Sequence, residues 1–300
     1  MREGLRGIIP PMVTPFDEAE DVDVGALQGE AEYLLSVGAT GVVVGGSTGE
    51  GAGLLVEEVH RAVRAVVEQV RGRVPVIAGA VPDTTREALV LGRAAREAGA
   101  DALQVTPPHY LFPPGPEEVV EYYRALGEGV GVPVIVYNVV PWATIEVGTL
   151  RRVIELPGVV GVKQSGGDLH KLADLLDVAK GHTAILTAVD DLLYPSFVLG
   201  ADGAIAAILT AVPTVCVELF RAVEGGDHGR ALQLHHRLLR VWHTLEGPNL
   251  PARVKAALRL QGRPGGRARH PMTPVGGEDL ERIREALQAA GVPLAATPVV

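Results

Sequence analysis

The chain has 300 residues, 47% of them hydrophobic, enough to bury the core of one large α/β domain or two smaller ones. Its formal net charge is −9 with no run of five like charges, which excludes the clustered basic face that a nucleic-acid partner requires. The single cysteine, Cys216, excludes an intramolecular disulfide and fits a reducing compartment.

The opening stretch MREGLRGIIPPMVTPF is broken by a Pro-Pro pair and lacks the continuous apolar region of a signal peptide. No 18-residue apolar run follows, so a cytoplasmic protein without membrane partners is expected. Short β-branched runs then recur as GIIPPMVT (7–14), GVVVGG (41–46), VPVIAGA (74–80), DALQVTP (101–107), VPVIVYN (132–138), VVGVKQS (159–165), TAILTAV (183–189) and GAIAAI (203–208). Between them lie helical patterns; in 84–98, Ala88, Leu91, Ala95 and Ala98 form an apolar stripe while Arg86, Glu87, Arg93 and Glu97 stay polar. The stretches VGATGVVV (37–44), AGADALQV (98–105) and LGADGAIAA (199–207) each place a glycine where a helix closes before a strand. Near-continuous apolar strands alternating with helices mark a parallel sheet covered on both faces. The pattern predicts an α/β fold, a (β/α)8 TIM barrel over residues 1–225, with a doubly wound open sheet as the alternative. Helical patterns over 227–245, 251–262 and 276–290 predict a C-terminal helical extension, residues 226–300, packed on the barrel.

Active sites of such barrels lie at the C-terminal ends of the strands, so polar residues that end apolar strands come first. Gly45-Gly46-Ser47-Thr48-Gly49-Glu50-Gly51 follows the second strand, where backbone N–H groups and two hydroxyls suit a carboxylate. It is neither a Walker loop nor a dinucleotide fingerprint, and a plain tight turn explains it equally well. Tyr137 and Asn138 end the fifth strand; the phenol is a candidate proton carrier, though position alone favours an aromatic core residue. Lys163 is one of four lysines against 23 arginines, and it alone ends an apolar strand. Alternation puts it on one face with Val159 and Gly161, and burial there disfavours the ammonium and exposes a nucleophilic amine. The plainer account is a lysine snorkelling to water. Lys171, Lys180 and Lys255 fall in helical, solvated-looking segments, as do Arg259, Arg263, Arg267 and Arg269 on a Gly/Pro-rich loop. Asp190 and Asp191 read best as the N-cap of the helix after strand seven. His235, His236 and His243 lack metal-ligand spacing, and no metal or other cofactor is expected.

Taken in order, PPMVTPF (10–16), GGSTGEG (45–51), VTPPHYLFP (105–113), VYN (136–138), GVKQSGGD (161–168), AVDDLLYP (188–195), LGADGAIA (199–206) and RVKAALRLQG (253–262) resemble the dihydrodipicolinate synthase / N-acetylneuraminate lyase family of class I aldolases and dehydratases. The resemblance spans about residues 5–292. It implies that Lys163 forms an imine with a 2-oxo acid such as pyruvate, that Tyr137 transfers protons, and that Ser47 relays them. It implies that Thr48 and Gly46, with nearby amides, hold the substrate carboxylate, and that the backbone carbonyl of Ile205 lies near the lysine. Tyr110 resembles a second tyrosine that reaches into a neighbouring subunit, which implies a homo-oligomer, usually a tetramer.

The sequence also departs from that family. Where its synthases read Tyr-Asn-x-Pro-x-Arg-Thr, this chain reads Tyr137-Asn138-Val139-Val140-Pro141-Trp142-Ala143-Thr144. One residue is inserted, and Ala143 replaces the arginine that binds the second substrate's carboxylate. His109 replaces the first tyrosine of a pair. The expected function is therefore a dihydrodipicolinate synthase-like lyase acting on pyruvate and an aldehyde or sugar-acid second substrate. Cleavage or dehydration of a sugar-derived 2-oxo acid, as in neuraminate lyases or 2-keto-3-deoxy acid enzymes, is the alternative. A non-catalytic metabolite-binding barrel and a phosphate- or metal-dependent enzyme are the rivals from other classes.

Overall fold

The β-branched runs form strands β1 (Gly7–Ile8), β2 (Val42–Val44), β3 (Val76–Ala80), β4 (Ala102–Val105), β5 (Val134–Asn138), β6 (Val159–Gln164), β7 (Ala184–Thr187) and β8 (Gly203–Ala204). The structure is a computed structural model that describes residues 4–166, 168–179 and 183–296. All strand pairs are parallel, in the order β1-β8-β7-β6-β5-β4-β3-β2. The two ends of that series meet through a parallel bridge between Pro11 and Val43, with the Met12 N–H donating to the Val43 carbonyl at 2.9 Å. The sheet is thus a closed (β/α)8 cylinder with no free edge.

Parallel neighbours need crossovers, and helices supply them. Helices α1 (Val24–Ser36), α2 (Val56–Val70), α3 (Thr85–Glu97), α4 (Pro116–Gly129), α5 (Val147–Ile154), α6 (Leu169–Ala179) and α7 (Leu193–Leu199) follow β1 to β7 in turn, and α8 (Ala207–Ala211) and α9 (Pro213–Glu224) follow β8. Helix α3 shows the logic: Thr84 caps it by accepting the Glu87 N–H at 3.1 Å, and Ala88, Leu91 and Ala95 are buried. Inside the cylinder Leu5, Ile9, Val43, Ile77, Ala102, Ile135, Ala184, Leu186 and Ile205 pack together, while the alternate residues face the helices.

The three Gly-Ala echoes are helix ends with Gly38, Gly99 and Gly200 in the left-handed region. The residue after each Gly-Ala pins the strand base: Asp101 accepts the Val76 N–H and Asp202 the Ile185 N–H, each at 2.8 Å, and Thr40 donates to the Arg6 carbonyl at 2.6 Å. The two shortest strands take only the first two residues of their apolar runs. In β1, Pro10 and Pro11 have no N–H to give the ladder. In 203–208 the ladder ends after Ile205 donates to Thr187, and Ala207 already starts α8; an Ala-rich run reads as either strand or buried helix.

Helices α10 (His228–Leu245), α11 (Leu250–Leu260) and α12 (Gly277–Ala289) form the extension. Leu234, Leu238, Val254, Leu258, Ile283 and Leu287 share one apolar cluster with Phe197 and Leu219 of the barrel helices. Each such side chain contributes about 1.5–3 kcal/mol on burial. No helix among the described residues is long and apolar enough to cross a membrane.

Of the cations expected in water, Arg263 and Lys255 are buried instead, and Arg269 is half-buried. Arg263 forms an ion pair with Glu30 of α1, both nearly inaccessible, and burial raises the Glu30 carboxyl against the pull of the guanidinium. Arg269 makes a bidentate pair with Glu58 at 2.9 and 2.6 Å. Lys255 is 1% exposed and donates to Glu50 at 2.6 Å; burial pushes its ammonium down to about 8, against the pull of that carboxylate. Packing of the extension covers them, which no helical periodicity could reveal. Lys171 does lie at the surface, paired with Glu146, and Lys180 lies outside the described residues.

Candidate active site

The mouth of the cylinder is built from strand ends. Lys163, near the end of β6, points inward and is only 5% exposed. Gly161 lies two residues below it on the same face, where a Cβ would sit 3.4 Å from Leu5 and 3.5 Å from Ile135. Strand register sets Tyr137 directly beside Lys163, and the lysine Nζ stands 4.2 Å from the centroid of the phenol ring.

The Tyr137 hydroxyl donates to Ser47 Oγ at 3.0 Å and accepts the Ser47 backbone N–H at 3.2 Å. Burial pushes the phenol up, but the adjacent Lys163 charge and the bonds with Ser47 outweigh it and hold the hydroxyl below the usual phenol range. Ser47 is exposed on its other side, bordering a cavity of about 590 Å³ that also meets Glu50, Pro251 and Met272. The three side chains thus run in series from the buried amine to the surface.

Ser47 and Thr48 belong to a short 3₁₀ turn, Ser47–Gly49, that folds back on itself. The Gly49 and Gly51 N–H groups both donate to the Gly46 carbonyl. Gly79 on β3 lets this turn dip into the barrel, since a Cβ there would lie 2.6 Å from the Gly46 nitrogen. Gly46 lies beside the phenol, where a Cβ would stand in ordinary contact at 3.7 Å from the Tyr137 hydroxyl. The structure therefore brings Lys163, Tyr137, Ser47, Thr48 and Gly46 to one end of the cylinder. Ile205 lines the inner face beside Leu186, whose register partner is Lys163.

Tyr110 stands apart. It is 71% exposed on the β4–α4 loop, with its N–H held by Asp83 at 2.8 Å, beside exposed Leu111 and Phe112. Asn138 serves the backbone: it donates to Gln164 and to the Ile145 carbonyl and accepts the Ile145 N–H, fixing the loop after β5. Ala143 and Trp142 line a separate recess of about 230 Å³ with Pro107 and Pro113, and the Trp142 indole donates to the His109 carbonyl at 2.6 Å.

Asp190 caps a different helix from the one expected. Its carboxylate accepts the Ile208 N–H of α8 at 2.7 Å, not an amide of α7. Burial of the carboxyl pushes it up to about 7, with the Ile208 bond and the Lys163 charge opposing that rise. A folded-state value above the ordinary 3.8 means the folded protein holds the extra proton between about pH 4 and 7, so stability falls as pH rises through that window. Asp190→Asn should remove this slope. Its melting temperature relative to wild type should climb between pH 5 and pH 8, and parallel thermal melts that stay offset by a constant would contradict the assignment.

One feature of the mouth escaped the apolar-run reading. Gln104 and Thr106 continue the inward face of β4 above Ala102, are fully buried, and have no hydrogen-bond partner among the described residues for either Gln104 amide atom or for Thr106 Oγ1. Strict alternation along 102–106 would have exposed them as inward-facing polar groups.

Comparison with known proteins places these features in a wider setting. The sequence model of the dihydrodipicolinate synthetase family matches residues 4–290. The chain is 34% identical to 4-hydroxy-tetrahydrodipicolinate synthase of Methanopyrus kandleri, covering 96% of this chain and 97% of that one. It is 35% identical to the protein of the same name from an Anaeromyxobacter species, over 97% and 99% of the two chains. Among solved structures, dihydrodipicolinate synthase from Aquifex aeolicus superposes with a TM-score of 0.91 at 30% identity, covering 97% of this chain and 99% of that one. YagE from Escherichia coli K12, solved in complex with pyruvate, also reaches 0.91 at 28% identity, over 96% and 99% of the chains.

Proposed function

Because the chain belongs to the dihydrodipicolinate synthetase family, a family of lyases, we propose that it joins pyruvate to an aldehyde through an imine on Lys163. The observation that carries this reading is the buried Lys163 amine set 4.2 Å from the Tyr137 ring, with the phenol hydroxyl tied to Ser47. The Ser47–Thr48 turn and the Gly46 backbone hold the pyruvate carboxylate and bring its carbonyl to the amine. The amine adds to C2, and water leaves with a proton delivered by Tyr137. The resulting iminium withdraws electrons, so a C3 proton departs and the enamine attacks the aldehyde carbon, whose oxygen takes up a proton as the iminium re-forms. Hydrolysis of the new imine frees the product and restores the amine. Tyr137, held below the ordinary phenol range, exchanges these protons with Ser47 and the open cavity.

The exposed Tyr110, Leu111, Phe112 and Trp142 support a homo-oligomer, a tetramer by the resemblance noted above. A cytoplasmic setting suits the single buried free cysteine. Aspartate semialdehyde with pyruvate is the first pair to assay, followed by other aldehydes and by sugar-derived 2-oxo acids in the cleavage direction. Pyruvate-dependent turnover of an aldehyde is expected; failure with every member of the panel would sink the proposal. Ala143→Arg, which restores a forked cation, should raise kcat/KM for aspartate semialdehyde by about 10-fold. An unchanged or lower value would show that position 143 does not face the second substrate.

A further inference from the structure

We propose that Lys255, in the C-terminal extension, is a positioning residue for the Ser47–Thr48 turn and acts through Glu50. The inference rests on the reading of that turn as the carboxylate site for a 2-oxo acid.

The turn is held at two ends. On one side the Ser47 N–H and Oγ meet Tyr137; on the other, Glu50 follows immediately after Gly49. Glu50 sits in the left-handed region at φ 57°, a conformation that a β-carbon disfavours and that persists only where the surroundings over-determine it. Those surroundings come from the extension: Lys255 Nζ reaches one carboxylate oxygen at 2.6 Å and the Arg269 N–H the other at 2.9 Å. Lys255 is itself fixed, donating to the Arg267 carbonyl at 2.5 Å and standing 4.6 Å from the centroid of the Phe16 ring. The other face of the clamp is as firm, since Thr14 donates to the Gly49 carbonyl at 2.7 Å.

Stability alone does not account for this pair. A buried ion pair is on average no stronger than apolar side chains of equal volume, whereas its geometry is more specific. Here that specificity is spent on the residue next to the turn, over a sequence separation of 205 residues. If Lys255 is lost, Glu50 is left as a buried carboxylate with one partner fewer, and the turn shifts to hydrate it. The chemistry at Lys163 stays intact while the carboxylate seat loosens.

Three variants test this in the full chain: Lys255→Met, Glu50→Gln and the double substitution, with Lys255→Arg as the conservative control. The pyruvate concentration for half-maximal borohydride trapping should rise about 10-fold in each single variant, with kcat changed much less. The double variant should be no worse than either single, as expected when two residues act as one unit. Lys255→Arg should recover part of the affinity. Amide hydrogen exchange at 46–51 should quicken in Lys255→Met without pyruvate present, while β5 and β6 stay protected. If Lys255→Met does not fold, Glu50→Gln carries the same readouts. Folded variants with unchanged half-saturation and exchange, or single effects that simply add, would overturn the role of Lys255. A wild-type protein that forms no adduct would instead overturn the imine reading, and with it any catalytic consequence of the clamp.

Discussion

Lys163→Ala is expected to lower kcat/KM for pyruvate-dependent turnover by about 10⁴-fold or more, because it removes the amine on which the proposed imine would form. The fold should survive. Lys163 is 5% exposed at the mouth of the cylinder, so truncation removes a buried cation at the cost of a small cavity, and the two effects oppose each other. The substitution also changes its neighbour. Burial raises the Tyr137 hydroxyl and the Lys163 charge is the largest influence lowering it, so without that charge the phenol should titrate higher than in the wild type. Steady-state kinetics with purified protein measure the loss, and a spectroscopic titration of the tyrosine measures the shift. Lys171→Ala is the control, since that side chain pairs with Glu146 at the surface. Activity retained in Lys163→Ala would place the chemistry elsewhere.

Tyr137→Phe should reduce kcat by about 10²- to 10⁴-fold, the usual worth of a positioned proton donor. Phenylalanine keeps the ring beneath the Lys163 ammonium, so the contact at 4.2 Å survives and only the hydroxyl is lost. The Ser47 N–H and Oγ then lose their partner at 3.2 and 3.0 Å, at a structural cost of about 1 kcal/mol because Ser47 is open to water. The substitution therefore separates proton transfer from packing. Imine formation should slow, while adduct still accumulates on long incubation. A kcat within a few-fold of wild type would mean that water, not the phenol, carries the proton.

Different residues were legible for different reasons. Lys163 stood out because alternation along β6 is local: a polar residue ending an apolar strand beside Gly161 has one inward direction. The barrel was legible for the same reason, since strand and helix periods are short-range properties. Tyr137 was ambiguous from position, and both readings describe it, for it is a buried aromatic whose hydroxyl is satisfied by Ser47. What failed was long-range. Lys255 and Arg269 read as solvated because a helix or loop pattern cannot know that the turn at 45–51 will be laid over it. Glu50 and Lys255 meet across 205 residues, and Arg263 and Glu30 across 233. Asp190 stands in sequence where a cap of the next helix belongs; the chain instead brings α8 to it. Gly79 lies inside the apolar run 74–80, where nothing in the local pattern tells that its missing Cβ admits the Gly45-Gly46 backbone.

Borohydride reduction in the presence of pyruvate, followed by peptide mass mapping, asks most directly whether one interior amine captures a ketone. The expected result is a single stable pyruvyl adduct on the peptide containing Lys163, absent without pyruvate and absent from Lys163→Ala. An adduct on another lysine, or none with pyruvate or any other 2-oxo acid, would contradict the account.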